Sequence, residues 1–164
     1  MASSTQTVYC IDTSALIELD KTYPPSVFAG LWSDLESLVA VGRLLAPAEV
    51  RKEIQSWDVR LFRWARQNKR MFVRPAARQL RFVAEVISEF PGLVEQAKQP
   101  AEADPFVIAL ALAKREGSLF RTDHVVVSME KRSSGRPKIP NVCDHYGIEH
   151  IAVADMFEKE GWCY

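Results

Sequence analysis

The sequence predicts an α/β fold in which helices cover both faces of a central, mainly parallel sheet of four to five strands. Three observations carry this expectation. Short strand-type runs at residues 8–11, 44–46 and 125–127 alternate with helical patterns along the chain. Those runs are apolar throughout rather than alternating, as strands buried on both faces are. The chain of 164 residues, 48% hydrophobic, is long enough for a sizeable core and near the usual single-domain size, so residues 1–164 are read as one domain.

The elements follow in order. Residues 8–11 (Val-Tyr-Cys-Ile) form a first strand, and residues 14–20 a short helix. Tyr23-Pro24-Pro25 breaks the chain. Within 26–41 the apolar residues Phe28, Leu31, Trp32, Leu35, Leu38 and Val39 recur at three/four spacing, an amphipathic helix that Gly42 stops. Residues 43–46 read as a second strand, and Pro47 suits the first turn of a helix over 48–56. A further helix is expected over 58–69, with Leu61, Phe62, Trp64 and Ala65 inward, then a short extended piece at 71–73. Residues 76–89 form a helix with Leu80, Val83, Val86 and Ile87 inward. Residues 93–102 carry no clear pattern.

The helix over 104–116 is apolar nearly all round and is therefore expected to be buried on several sides. A loop over 117–124 leads to the strand 125–127, and a basic Gly/Ser-containing loop spans 131–138. A short helix at 141–146 is stopped by Gly147. A last strand (148–153) and a last helix (154–160) complete the chain.

Composition excludes several classes. Lys plus Arg and Asp plus Glu both number 21, so no global field draws a polyanion and any such binding needs a local patch. Cys10, Cys143 and Cys163 are odd in number and lack CxxC spacing, which suggests neither a disulfide framework nor a zinc site and fits a reducing, cytoplasmic setting. A secretory signal is not expected, because no basic n-region precedes the first apolar run and Asp12 interrupts it. The longest apolar run is residues 106–113, far short of a membrane span.

Acids recur at the edges of these elements. Asp12 ends the first strand and opens a helix, beside Thr13 and Ser14. It can be an N-cap; equally, Thr13 and Ser14 can cap the helix and free its carboxylate. Glu49 and Glu53 lie four apart on one helix face, where like charges repel; Arg51 and Lys52 or a bound cation would relieve them. Asp104 precedes Pro105 in an ordinary N-cap/N1 pair at the mouth of the most apolar helix. Glu130 follows the strand 125–127 through Ser128 and Met129, repeating the arrangement at Asp12. Asp123, before that strand, competes with Glu130 for the same role. Four carboxylates about 5 Å apart would repel by roughly 3 kcal/mol per pair at an effective dielectric near 20. Cations or protons must then offset them, and an all-oxygen donor set selects Mg²⁺ or Mn²⁺. His124, His145 and His150 lack HxxxH spacing.

With these residues in hand, the chain resembles the PIN-domain ribonucleases, and within them a branch of PIN-like proteins. The matching pieces are Tyr9-Cys10-Ile11-Asp12-Thr13-Ser14, Ala46-Pro47-Ala48-Glu49-Val50-Arg51-Lys52-Glu53-Ile54, Ala103-Asp104-Pro105-Phe106-Val107-Ile108-Ala109, Val126-Val127-Ser128-Met129-Glu130-Lys131 and Lys138-Ile139-Pro140-Asn141-Val142-Cys143. The resemblance implies a Rossmann-like sheet and a metal-dependent ribonuclease site. It assigns the catalytic, metal-holding acids to Asp12, Glu53, Asp104 and Glu130, with Glu49 and Asp123 as lesser candidates. The supporting hydroxyls would be Ser14, Thr13 and Ser128. Many members are VapC-type toxins, which implies a cognate antitoxin; a second copy of the chain is the other candidate partner. At the fourth acid the chain departs from the family's Thr-x-Asp, having Ser128-Met129-Glu130, while Thr122-Asp123 lacks the intervening residue.

For RNA the sequence offers two basic segments. Between residues 59 and 84 lie Arg60, Arg63, Arg66, Lys69, Arg70, Arg74, Arg78 and Arg81, and no acid. Lys131, Arg132, Arg136 and Lys138 flank Glu130. Such side chains bind phosphates without reading sequence. The same surface could receive an acidic antitoxin segment. Trp64 and Phe62 could stack on bases, though their helical spacing favours core packing. The rival readings are a PIN-like domain that binds RNA or protein without cleaving, and a phosphoacceptor α/β domain. The latter lacks its second acid, since position 14 is Ser.

Overall fold

In the computed structural model of the chain, residues 6–94, 102–119 and 122–164 are described. The expected α/β architecture is present. Five strands, β1 (Gln6–Ile11), β2 (Leu44–Pro47), β3 (Phe72–Val73), β4 (Thr122–Val127) and β5 (Glu149–Ile151), form one sheet in the order β3-β2-β1-β4-β5. Every pairing is parallel. Tyr9, Cys10 and Ile11 of β1 and Val125, Val126 and Val127 of β4 are buried, because these central strands have both faces covered.

Among the described residues eight α-helices connect and cover the strands: α1 (Thr13–Thr22), α2 (Ala29–Ala40), α3 (Ala48–Gln55), α4 (Val59–Gln67), α5 (Ala77–Glu89), α6 (Asp104–Gly117), α7 (Ile139–Tyr146) and α8 (Val153–Glu160). Parallel crossovers are right-handed. The chain moves outward from β1 to β3 and returns across the sheet to β4. The crossover helices of the outward leg and those of the return leg therefore lie on opposite faces, and α8, after the last strand, comes back to the side of α1. Contacts agree: α1 packs on α3, α4 and α8, while α6 packs on α5 and α7. The order reverses at the β1/β4 pair, the position where open α/β sheets form a crevice beyond the strand ends.

Several boundaries differ from expectation. The strand expected at 125–127 starts at Thr122, since parallel pairing with β1 from Gln6 onward recruits the polar residues before the Val run. Asp58 is an N-cap rather than part of a helix; its carboxylate accepts the Arg60 and Leu61 N–H groups at 2.7 and 3.2 Å. On α5 the inward set includes Gln79, buried and bonded to the Phe106 carbonyl, whereas Leu80 is 48% exposed. The α6 body is buried from Val107 to Leu112, as its composition predicts. Gly42, Gly147 and Gly161 stop α2, α7 and α8 at positive φ. Most of the patternless stretch 93–102 lies outside the described residues.

Candidate active site at the sheet edge

The carboxyl ends of β1 and β4 are locked side by side. The Asp12 N–H donates to the Val127 carbonyl and the Ser128 N–H to the Ile151 carbonyl, each at 3.0 Å. The sheet ladder therefore reaches the two residues where the backbone leaves the sheet. Asp12 is 3% exposed and is itself the N-cap of α1: its Oδ1 accepts the Ala15 N–H at 2.9 Å. The expectation that Thr13 and Ser14 cap this helix, leaving Asp12 free, is corrected. Both hydroxyls instead hold other parts of the site.

Ser14 Oγ donates to the Asp12 carboxylate at 2.9 Å, accepts the Met129 N–H at 2.9 Å, and lies 3.4 Å from the buried Ser128 hydroxyl. Ser128 Oγ in turn accepts the Glu130 N–H at 3.0 Å. Thr13 Oγ1 donates to Oε2 of Glu53, and Glu53 Oε1 accepts the Ala103 N–H at 2.9 Å. Glu53 thus joins the start of α1 to the residue before α6. Ala103, not Asp104, is the N-cap of α6, which puts Asp104 in the first helical turn with Pro105. Glu130 Oε2 accepts the Ile139 N–H at 2.9 Å, at the start of α7.

Electrostatics tie the four acids together. Burial, foremost, pushes the Asp12 carboxyl up to about 7, and the charge of Glu130 adds to it; bonds from Ala15, Ser14 and Ser128 oppose the rise. Burial also pushes Asp104 up to about 8, reinforced by the charges of Glu130, Asp12, Glu53 and Glu102. Asp104 therefore feels Glu130, Asp12 and Glu53 at a single edge of the sheet, and Asp12 feels Glu130. Among the described residues no three His, Cys, Asp or Glu side chains stand together as a closed metal-binding group. The acids share a field rather than a coordination shell.

Other assigned residues fall differently. Asp123 is exposed and pairs with Thr7 near the beginning of β4. Val127 lies four residues further along the strand, about 13 Å at the rise of a β-strand, so Asp123 stands toward the opposite edge from Asp12. Glu49 lies one turn before Glu53 on the same face of α3; it is buried, and its Oε2 has no hydrogen-bond partner among the described residues. Glu102, which the sequence did not single out, adds negative charge at Asp104 and lies 3.6 Å from Arg136. Its signal was only the spacing Glu102-Ala103-Asp104.

The basic residues beside Glu130 are largely committed. Arg132 grips Asp144 at 2.7 and 2.8 Å. Arg136 donates to the Gly92 and Leu93 carbonyls at 2.6 and 3.2 Å. Lys138 lies in the turn that Asn141 holds: Asn141 Oδ1 accepts the Ser133 and Lys138 N–H groups, each at 3.0 Å. Lys131 is exposed.

The donors facing this edge are all carboxylate and hydroxyl oxygens, two of the acids are driven toward protonation, and Glu49 offers an orphaned buried oxygen. An unpaired buried carboxylate is costly without a proton or counter-charge. This set fits a hard divalent cation. No curated protein and no solved structure matches the chain. Residues 9–164 match the family model described as "Domain of unknown function (DUF4411)", a span that includes every acid of the sheet edge, and the chain belongs to that family.

Proposed function

We propose that this protein is a Mg²⁺- or Mn²⁺-dependent endoribonuclease of PIN-like type that hydrolyses RNA phosphodiester bonds, and that it is the toxin of a toxin–antitoxin pair. The observation that carries the reading is the gathering of acids at one edge: Ser14 holds Asp12, Thr13 and the Ala103 N–H hold Glu53 beside Asp104, and the Ile139 N–H holds Glu130. Asp12, Asp104 and Glu130 would hold the ion, with Glu53 beside them and Glu49 as a further donor. A bound hard cation supplies an activated water and neutralises charge on the scissile phosphate.

The chain's own residues do the rest. Ser14 and Ser128 hold Asp12 and the backbone before Glu130 in fixed relation. Thr13 and the Ala103 N–H hold both oxygens of Glu53, so that its carboxylate cannot swing toward solvent. Among the described residues no helix is long and apolar enough to cross a membrane, which accords with a cytoplasmic toxin meeting RNA and a cognate antitoxin.

Cleavage of mixed-sequence RNA by the purified protein tests this. Wild type with Mg²⁺ should cut, and EDTA or Asp12→Asn should abolish cutting. Glu130→Gln should reduce cleavage by about 10²-fold or more and Asp123→Asn should leave it unchanged, as their positions on opposite sides of β4 require. Equal cleavage by wild type and Asp12→Asn would remove the proposed site. Growth arrest on expression, absent with Asp12→Asn, tests the toxin role. The engagement of Glu130 with the start of α7 favours one alternative, a domain that binds RNA or a partner without cleaving; failure of wild type to cut varied RNAs would establish it.

A further inference from the structure

A second concave surface opens from the same edge of the sheet. A cavity of about 610 Å³ lies between α3, α4 and β3, with Arg51, Lys52, Lys69 and Arg74 at its wall and no acid among its lining residues. Phe62 and Phe72 line it as well, both half-buried, with the Arg51 guanidinium 5.7 Å from the Phe62 ring centre. All four cations are exposed, and among the described residues none of them forms an ion pair. Three basic residues of α4 and α5 are held instead by acids: Arg60 by Asp20, and Arg78 and Arg81 by Glu116.

The helix α3 separates this cavity from the acids. Glu49 and Glu53 occupy one face, while Arg51, Lys52 and Gln55 line the cavity on another. The register fixes the separation. Cys10 pairs with Leu45, and Pro47 with Val73, so Asp12, Pro47 and Val73 stand level at the carboxyl edge. Two strand spacings, about 10 Å, part Asp12 from Val73, and the next residue, Arg74, lines the cavity. A stacked strand covers that span in about three nucleotides.

We propose that this groove binds the backbone and bases of single-stranded nucleic acid, a few nucleotides away from the carboxylate edge. The four unpaired cations suit phosphates, and the two half-buried rings suit unpaired bases, which a duplex does not offer. An acidic peptide would use the cations and leave the aromatic rings without purpose. The assignment of RNA as the strand that is cut rests on the nuclease reading above; binding in this groove does not.

The test is fluorescence anisotropy with a labelled 12-nucleotide oligouridylate and the full chain in EDTA, over a range of salt. Four phosphate contacts give a slope of log affinity on log salt of about −2.8, and Lys69→Gln with Arg74→Gln should halve it to about −1.4. At 50 mM salt that corresponds to roughly 65-fold weaker binding, extrapolating the slopes to a common value at 1 M. Phe62→Leu should weaken binding about tenfold with the slope unchanged. Arg63→Gln, on α4 but outside the groove, should change little. Wild-type affinity in the Lys69/Arg74 double variant would overturn the proposal. So would capture of a polyglutamate peptide that the oligonucleotide does not displace. Binding without cleavage would sink the nuclease reading alone; cleavage that ignores the groove variants, with unchanged binding, would sink this one alone.

Discussion

The Ser14 hydroxyl accepts the backbone N–H of Met129 at 2.9 Å, across 115 residues of sequence. It also donates to Asp12, so one side chain fastens the end of β1 to the chain leaving β4. Ser14→Ala leaves the Met129 N–H and one bond to a buried carboxylate unmade. The expected cost is about 2 kcal/mol by urea denaturation. Cleavage should fall with it, because the backbone before Glu130 loses its tether. Ser14→Thr keeps a hydroxyl and should recover part of both.

The Asp104 carboxyl is held up to about 8 by burial and by four acidic neighbours. Removing its charge should therefore stabilise the metal-free chain while removing a proposed metal donor. Asp104→Asn is expected to raise the melting temperature in EDTA near pH 8.5, at roughly 2–4 °C per kcal/mol gained for a domain of this size. RNA cleavage should be lost in the same variant. A lower melting temperature would mean that the acidic field at this edge is weaker than its neighbours imply.

The same two carboxyls set a pH dependence. Asp12, near 7, and Asp104, near 8, bind protons more tightly in the folded chain than unfolded aspartate does at about 3.9. Below about pH 4 both states are protonated and the contribution to stability is complete. As pH rises, the unfolded chain ionises first, and the contribution is lost progressively until the folded groups ionise at 7 and 8. Melting in EDTA should thus occur at lower temperature near pH 8.5 than near pH 5.5, and added Mg²⁺ should narrow the gap. A melting temperature flat across this range, with both aspartates intact, would contradict the assignment.

Away from the site, Arg43 ties three elements together. Its guanidinium donates to Glu160 Oε2 at 3.0 Å and to the Thr7 carbonyl at 2.8 Å, and the buried Tyr9 hydroxyl donates to Glu160 Oε1 at 2.6 Å. Burial and the Glu160 carboxylate hold the Tyr9 hydroxyl well above the usual phenol range. Glu160→Ala leaves Arg43 and Tyr9 without their shared partner and should cost about 3 kcal/mol. RNA cleavage below the melting transition should be unaffected, since this cluster lies on the side of β1 away from Asp12.

The sequence by itself determined the layers, the parallel sheet and the acids that stand at its strand ends. Uninterrupted apolar runs at Val8 and Val125 mean strands covered on both faces, and an acid after each run marks a strand end. These are local patterns, and periodicity reads them directly. The groove was less legible. Arg51 and Lys52 looked like a solvated relief for Glu49 and Glu53, because nothing local reveals that Lys69, Phe72 and Arg74 arrive beside them. Tertiary structure alone placed Glu130 at the edge where Asp12 stands and Asp123 toward the other, since which end of β4 meets Asp12 depends on register against β1. It also decided that Asp12 caps its own helix while Thr13 and Ser14 reach across to Glu53 and Met129. Hydrogen bonds spanning 40 and 115 residues depend on how the two chain ends of the sheet are brought together. A one-residue change of register would turn each of these side chains to the other face.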